Sequence, residues 1–343
     1  MTIIRRKLKV LVVDDSLVFR EFLARGLASD PLIEVVATAV DPFDARDKII
    51  EYEPDVITLD VEMPRMSGIE FLRRLMPQYP LPAVIISAIS DKVFEAMAAG
   101  AVDFVVKPDP KSGRSLNTVI NELKTKVKIA AMANVAQHKK TGVNMQSVKR
   151  PAQAGRHARV IAIGASTGGT EAVFSILKAL SPDVPGIVVV QHMPPVFTRM
   201  FAERINGATA LTVKEAQSGD KLDYGRVLIA PGDKHMRLVK MGSGFTVECY
   251  AGEKVSGHCP SVDVLFESTA REAGAAAIGI LLTGMGQDGA KGLLAMRQRG
   301  ARTIGQDEQT SVVYGMPKVA WELGAVEKQG ALPAIPQLIY SML

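Results

Sequence analysis

"RVIAIGASTGGTEAV", residues 159–173, is an apolar run that breaks into Gly164-Ala165-Ser166-Thr167-Gly168-Gly169 and then turns helical. A buried strand passing into a helix through a glycine-rich turn is the repeating step of a doubly wound α/β sheet. Two chemistries suit such a turn. It can wrap a phosphate at the helix N-terminus, or it can hold Ser166 up as a nucleophile. The phosphate readings fail in detail. A dinucleotide fingerprint wants glycine where Ser166 stands, and a P-loop needs a Gly-Lys-Ser/Thr run that is absent. Gly164-x-Ser166-x-Gly168 matches a nucleophile elbow, a short pattern that chance also produces.

The same strand and helix alternation runs outward in both directions. Before it lie the strand patterns 9–15, 34–40, 55–60, 83–88 and 103–108, closed by an amphipathic helix over 116–135 with Leu116, Val119, Ile120, Leu123 and Val127 on one face. After it come 186–192, 225–231, 275–284 and 301–307, with an antiparallel hairpin at 235–250 turning about Met241-Gly242-Ser243-Gly244. The expected architecture is α/β with two doubly wound domains: an N-terminal five-stranded parallel unit and a larger, mostly parallel unit carrying the hairpin. At 343 residues the chain is long for one core, which agrees.

Composition narrows the class. With 47% hydrophobic and 22% charged residues the chain is globular, and uncharged runs such as 273–287 are too short to span a bilayer. The apolar stretch near the N-terminus ends at Asp14-Asp15, so it reads as a first strand and not as a secretory signal. Two cysteines, Cys249 and Cys259, lack metal-ligand spacing and suit a reducing cytoplasm. The net charge of +5 is concentrated in residues 137–159, which hold Lys139, Lys140, Lys149, Arg150, Arg156 and Arg159 and no acid. That stretch reads as a basic flexible linker, with no nucleic-acid motif beside it.

In the first half, residues with chemistry stand at successive strand ends: Asp14 and Asp15, Asp60, Ser87 and Lys107. Parallel strands finish on one edge, so these groups should meet there. Three carboxylates gathered together call for a hard cation such as magnesium, and one of them can accept a phosphoryl group. "LVVDDS", "TLDVEMPRMSG", "VIISA" and "FVVKP" together resemble the response-regulator receiver family over residues 6–128. The resemblance implies Asp60 as phosphoacceptor, Asp14, Asp15 and Asp60 as the Mg2+ ligands, and Ser87 and Lys107 as readers of the phosphate. The segment 88–103 is several residues shorter than usual for that family.

In the second half, Ser166, His192 and Asp288 each leave a strand at its carboxyl end. A serine needs a base, and the base needs a carboxylate. Each residue also has a plain structural reading. Ser166 can cap its helix, His192 can pack in the "HMPP" loop, and Asp288 can cap the helix "GAKGLLAMRQ". His235 is a rival base. A His258–Cys259 dyad is disfavoured, because neighbours on an extended chain point to opposite sides. "GASTGGTEAV", "VVVQHMPPVFTRMFAERIN", "IAPGDKHM", "HCPSVDVLFES", "LLTGMGQDGAKGLLAMR" and "DEQTSVVYGMPKVAWELGAV" resemble the catalytic domain of the chemotaxis methylesterase (CheB) family.

That resemblance implies Ser166 as nucleophile, His192 as general base and acid, Asp288 as orienting carboxylate and the backbone N–H of Met285 as oxyanion donor. Asp233 departs from the commoner small residue at its position. The implied organisation is a receiver at 6–128, a linker at 129–157 and a methylesterase domain at 158–343. The implied activity is phosphorylation-regulated hydrolysis of glutamate γ-methyl esters, with deamidation of glutamine, on chemoreceptors in the cytoplasm. A chemotaxis histidine kinase would supply the phosphate, and the ester chemistry would need no cofactor. No nucleic acid and no membrane insertion enter this reading. Two rival output classes remain open here: a small helical DNA-binding domain and a nucleotide-binding module with Asp183 as ribose acid.

Overall fold

The computed structural model describes residues 6–88, 92–108, 115–135 and 159–343. The chain divides into two compact units, residues 1–142 and 143–343. Most of the stretch read as a linker, 136–157, lies outside the described residues. Its first residues do not behave as a linker: Ile129 and Ala130 complete a helix, and Ala130 and Val135 are buried.

The first unit alternates β1 (Leu8–Val13), α1 (Leu17–Ala28), β2 (Ile33–Ala39), α2 (Pro42–Tyr52), β3 (Val56–Asp60), α3 (Gly68–Leu75), β4 (Ala83–Ser87), α4 (Lys92–Ala98), β5 (Asp103–Val106) and α5 (Leu116–Ala130). Its five described strands pair in the order β2-β1-β3-β4-β5, all parallel. Side-chain caps start the helices where the sequence changes period: Ser16, Asp41, Ser67 and Ser115 each accept from an amide of the first turn. The expected helix over 116–135 stops at Ala130, with Val119, Ile120, Leu123 and Val127 buried and Leu116 half exposed. Part of the shortened segment, residues 89–91, falls outside the described residues.

The second unit runs β6 (Val160–Ala165), α6 (Gly169–Ala179), β7 (Gly186–Gln191), α7 (Phe197–Ala208), β8 (Thr212–Glu215), β9 (Arg226–Ile229), β10 (His235–Met241), β11 (Gly244–Tyr250), α8 (Val262–Glu272), β12 (Ala277–Leu281), α9 (Ala290–Gln298), β13 (Arg302–Gln306), α10 (Met316–Glu322), β14 (Lys328–Gly330) and α11 (Ile335–Met342). Among the described residues seven strands form one sheet in the order β14-β13-β12-β6-β7-β9-β8, every ladder parallel. The hairpin β10–β11 is a separate two-stranded sheet, so the large sheet is wholly parallel. Two short strands, β8 and β14, escaped the sequence reading because they sit at the sheet edges and carry too few apolar residues to show a period. A large parallel α/β unit is also the wrong architecture for a small helical DNA-binding output.

Central strands β6, β7 and β12 are buried along their whole length. Met236, Leu238, Phe245 and Val247 of the hairpin join Val262, Leu265 and Phe266 of α8 in one core over these strands. Strand order reverses at β6, which has β7 on one side and β12 on the other. Loops diverge at such a point and leave a crevice at the carboxyl edge, where ligands bind. In the first unit the reversal lies between β1 and β3, at Asp14 and Asp60.

Candidate active site

The turn after β6 is built for close approach. Gly168 takes φ +77°, a conformation that disfavours a side chain, and starts α6 without any side-chain cap. Ser166 is therefore not the helix cap, and its hydroxyl hydrogen-bonds to no described residue. The elbow is held through its backbone. Ser166 N–H donates to Thr283 O at 3.0 Å, and Gln191 Nε2 donates to Ser166 O at 2.9 Å. On the far side, a Cβ on Gly284 would stand 2.6 Å from Ser166 Cβ, so the 284–286 loop can approach the serine only with glycine there.

His192 follows β7. Because Ala165 pairs with Gln191, the next residues of the two strands, Ser166 and His192, leave the sheet side by side. His192 N–H also donates to Ala165 O at 3.1 Å. Its ring is not merely packed in the loop: Nε2–H donates to Asp288 Oδ2 at 2.8 Å. That bond sets the tautomer. The lone pair is on Nδ1, which is buried and has no hydrogen-bond partner. Ser166 Oγ is not bonded to it, as is common in catalytic sites without substrate.

Asp288 does not cap α9, as its position in the sequence suggests; Gly289 starts that helix without a side-chain cap. The carboxylate reaches instead to the start of α8. Val262 N–H donates to Oδ2 at 2.8 Å, while Asp263 N–H and the Ser261 hydroxyl donate to Oδ1 at 3.0 and 2.8 Å. Burial works against its charge, but the His192 bond and the α8 amides prevail and hold the carboxyl below the ordinary range. A helix N-terminus is where such an anion is favoured. The serine, the imidazole and the acid thus converge at one edge, with imidazole and acid in direct contact.

The rival base is removed by its bonding. His235 is 2% exposed, its Nε2 donates to Glu253 O at 2.8 Å, and its Nδ1 accepts from Ser261 N–H at 3.2 Å. Both nitrogens are occupied in holding the loop that carries Ser261. Asp183 lies before β7 and accepts from the Ser181 hydroxyl, away from a strand end where a ribose acid would stand. Asp233 has φ +58°, a left-handed conformation that Asp adopts more readily than most residues.

Met285 sits on the loop beside Ser166 and is 39% exposed. Thr283, Gly284, Val313 and Gly315 lock that loop through backbone bonds: Gly284 N–H to Val313 O, and both Gly315 and Met316 N–H to Gly284 O. The Thr283 hydroxyl donates to Thr167 O and accepts from Val313 N–H. Thr283, Gln191 and Ser261 are positioning groups that the sequence reading missed. Ser261 alone left a signal, a serine directly before an amphipathic run.

The sequence offers His258 only as a neighbour of Cys259. Its ring lies instead on that of His192, centroids 3.7 Å apart and planes 10° from parallel. Burial, then the nearness of His192, pushes His258 down to about 4 from the ordinary 6.5, with Lys254 adding and Asp288 opposing. The sign follows. The unfolded chain binds the extra proton between about pH 6.5 and about 4, so stability falls as pH drops through that window. Melting temperatures across it should fall less steeply in His258→Phe than in the parent protein. Parallel slopes would show that this ring does not contribute.

In the first unit, Asp14 is fully buried, Asp60 is 3% exposed and Ser87 is buried beside them, whereas Asp15 is exposed. One oxygen from each of the three aspartates lies within 4.8 Å of the others. Lys107 Nζ is 2.6 Å from Asp60 Oδ2 and 3.2 Å from Asp14 Oδ2, and the backbone N–H of Lys107 donates to Ser87 O at 2.8 Å. Burial raises the Asp60 pKa against the pull of Lys107, with Asp14 adding to the rise. Burial likewise opposes the Lys107 charge, but Asp60 and Asp14 outweigh it and hold the ammonium above its ordinary range.

A family model described as CheB methylesterase matches residues 161–339, and one described as response regulator receiver domain matches residues 10–140. The chain belongs to the CheB methylesterase family. A protein-glutamate methylesterase/protein-glutamine glutaminase 2 of Syntrophomonas wolfei is 61% identical over 338 residues, covering 98% of each chain. The corresponding protein of Syntrophotalea carbinolica is 51% identical over 346 residues, again covering 98% of each. The crystal structure of the Thermotoga maritima CheB methylesterase catalytic domain aligns with a TM-score of 0.53 at 35% identity, covering 54% of this chain and 99% of that one. This CheB family member therefore pairs a receiver with a methylesterase unit in one chain. Among the described residues no helix is long and apolar enough to cross a membrane.

Proposed function

We propose that this chain hydrolyses glutamate γ-methyl esters, and deamidates glutamine, on chemoreceptors, under control of phosphorylation at Asp60. One observation carries the ester chemistry: an imidazole bonded through Nε2 to a buried carboxylate at 2.8 Å, its other nitrogen buried and free, beside the Ser166 elbow. His192 Nδ1 takes the proton of the Ser166 hydroxyl as Oγ attacks the side-chain carbonyl carbon. The oxyanion forms against the Met285 N–H, a donor of a kind contributing about 3 kcal/mol. The imidazolium then protonates the departing methanol or ammonia, leaving an acyl-serine. Water attacks that acyl group, gives its proton to His192, and the proton returns to Ser166 as the free carboxylic acid leaves. Asp288 stays ionised throughout.

In the receiver, Asp60 attacks the phosphorus of a histidine kinase's phosphohistidine, and the N–P bond breaks to give an aspartyl phosphate. Asp14, Asp15 and Asp60 fit a magnesium site: all three offer hard oxygens within 4.8 Å of one another, and the buried Asp14 Oδ2 has Lys107 as its only near partner among the described residues. Magnesium bound there would offset the crowding of carboxylates and draw charge from the phosphoryl group. Lys107 and Ser87 stand where the new phosphate oxygens would need a cation and a hydroxyl. Lys107 must then exchange its Asp60 carboxylate partner for the phosphoryl group, a charge event that can bias the unit between two states.

Methanol release from methylated receptor should rise about 10-fold when a small acyl-phosphate donor is added, a coupling of ordinary size. Asp60→Ala should keep the basal rate and lose the rise. A variant that responds like the parent protein would take the phosphoacceptor role from Asp60.

A further inference from the structure

The hydrolytic steps above give His258 no part, yet it makes the closest ring contact of the base, face to face at 3.7 Å. Its backbone is fixed by a tight turn. Val255 and His258 exchange both backbone hydrogen bonds, at 3.0 and 2.9 Å, across Ser256 and Gly257, which take φ +52° and +84°. Positive φ at both central residues is the two-residue hairpin geometry. The Ser256 hydroxyl then ties the turn to Asp263 Oδ2 at 2.9 Å, in the first turn of α8. The same helix start holds Asp288. One scaffold thus carries both the carboxylate that grips the edge of the His192 ring and the plate against its face.

The need for a plate follows from the bonding of the base. In its plane, His192 is held at one atom only, Nε2. A single hydrogen bond lets a ring rock about that contact, which would swing Nδ1 out of line with the Ser166 hydroxyl. A parallel ring in van der Waals contact removes that freedom. It must also stay neutral, because a fixed cation there would repel the imidazolium formed when His192 takes its proton. Neither nitrogen of His258 hydrogen-bonds to a described residue, so the ring's contact with the base is through its face.

We propose that His258 is a positioning residue for the ester hydrolysis: its ring, stacked on His192, fixes the plane of the base so that Nδ1 faces the Ser166 hydroxyl. The inference rests on His192 being the base. The test measures methanol release from methylated receptor by the full chain with a phosphodonor present, for His258→Ala, His258→Leu and His258→Phe, with Ser166→Ala alongside.

Misplacing a reacting group by about 1 Å costs about 10²-fold, so His258→Ala and His258→Leu should each lose about that much in kcat with KM within about 2-fold. His258→Phe, which restores a flat neutral ring, should recover to within about 3-fold of the parent. Leucine fills the volume without being flat, so it decides the matter should the alanine variant fail to fold. Parent-like kcat in His258→Leu would overturn the proposal. So would a phenylalanine variant as slow as the leucine one, which would assign the role to the imidazole nitrogens, or a loss confined to KM, which would make His258 a substrate contact. The underlying reading fails separately: it falls if Ser166→Ala still releases methanol at the parent rate.

Discussion

Ser166→Ala is expected to lower kcat for methanol release by about six orders of magnitude, with the fold intact. The size follows from the mechanism. Without Oγ there is no acyl-enzyme, and only the oxyanion donor and substrate binding remain to speed direct attack by water. The fold should be untouched, because the Ser166 hydroxyl makes no hydrogen bond to a described residue and the elbow is held by backbone groups and the Gln191 amide. Melting should therefore report a change within about 0.5 kcal/mol. Adding Asp288→Asn to Ser166→Ala should cost little further, since residues acting as one unit are not additive. Residual activity within tenfold of the parent would end the nucleophile assignment.

Asp288→Asn is expected to cost about three to four orders of magnitude in kcat. Each carboxylate oxygen serves two donors: Oδ2 takes His192 Nε2–H and Val262 N–H, and Oδ1 takes the Ser261 hydroxyl and Asp263 N–H. An amide can sit there in two ways. With its nitrogen toward His192 it faces the Val262 N–H and donates to Nε2, which moves the ring proton to Nδ1, the atom that must accept from Ser166. With its nitrogen toward Ser261 it keeps the tautomer but faces the Asp263 N–H. Either way one buried donor goes unpaired, at about 1–3 kcal/mol of stability, and the charge opposite the developing imidazolium is lost. Activity measured together with melting separates the two consequences. A variant destabilised by that amount yet within tenfold of parental kcat would make Asp288 a helix cap and nothing more.

Much of the site is legible in the sequence because its groups follow the ends of strands. Apolar runs mark buried parallel strands, parallel strands finish on one edge, and so Ser166, His192 and Asp288, like Asp14, Asp60, Ser87 and Lys107, were bound to gather. What proved misleading was sequence neighbourhood. Asp288 precedes α9 and reads as its cap, but it serves the start of α8, 26 positions earlier. His258 adjoins Cys259, but its ring belongs with that of His192. His235 follows a strand-end glycine turn and looked available, while both its nitrogens are spent on the 253–261 loop.

The amino-acid sequence by itself determined the two parallel sheets, their common edges and the residues delivered to them, because backbone periodicity and strand direction are local properties. Only the tertiary structure decided which side chain holds which. The packing of α8 and its preceding loop against β6 and β12 selects the tautomer of His192, the charge of Asp288 and the ring beneath the base. Those contacts join segments whose spacing along the chain carries no period.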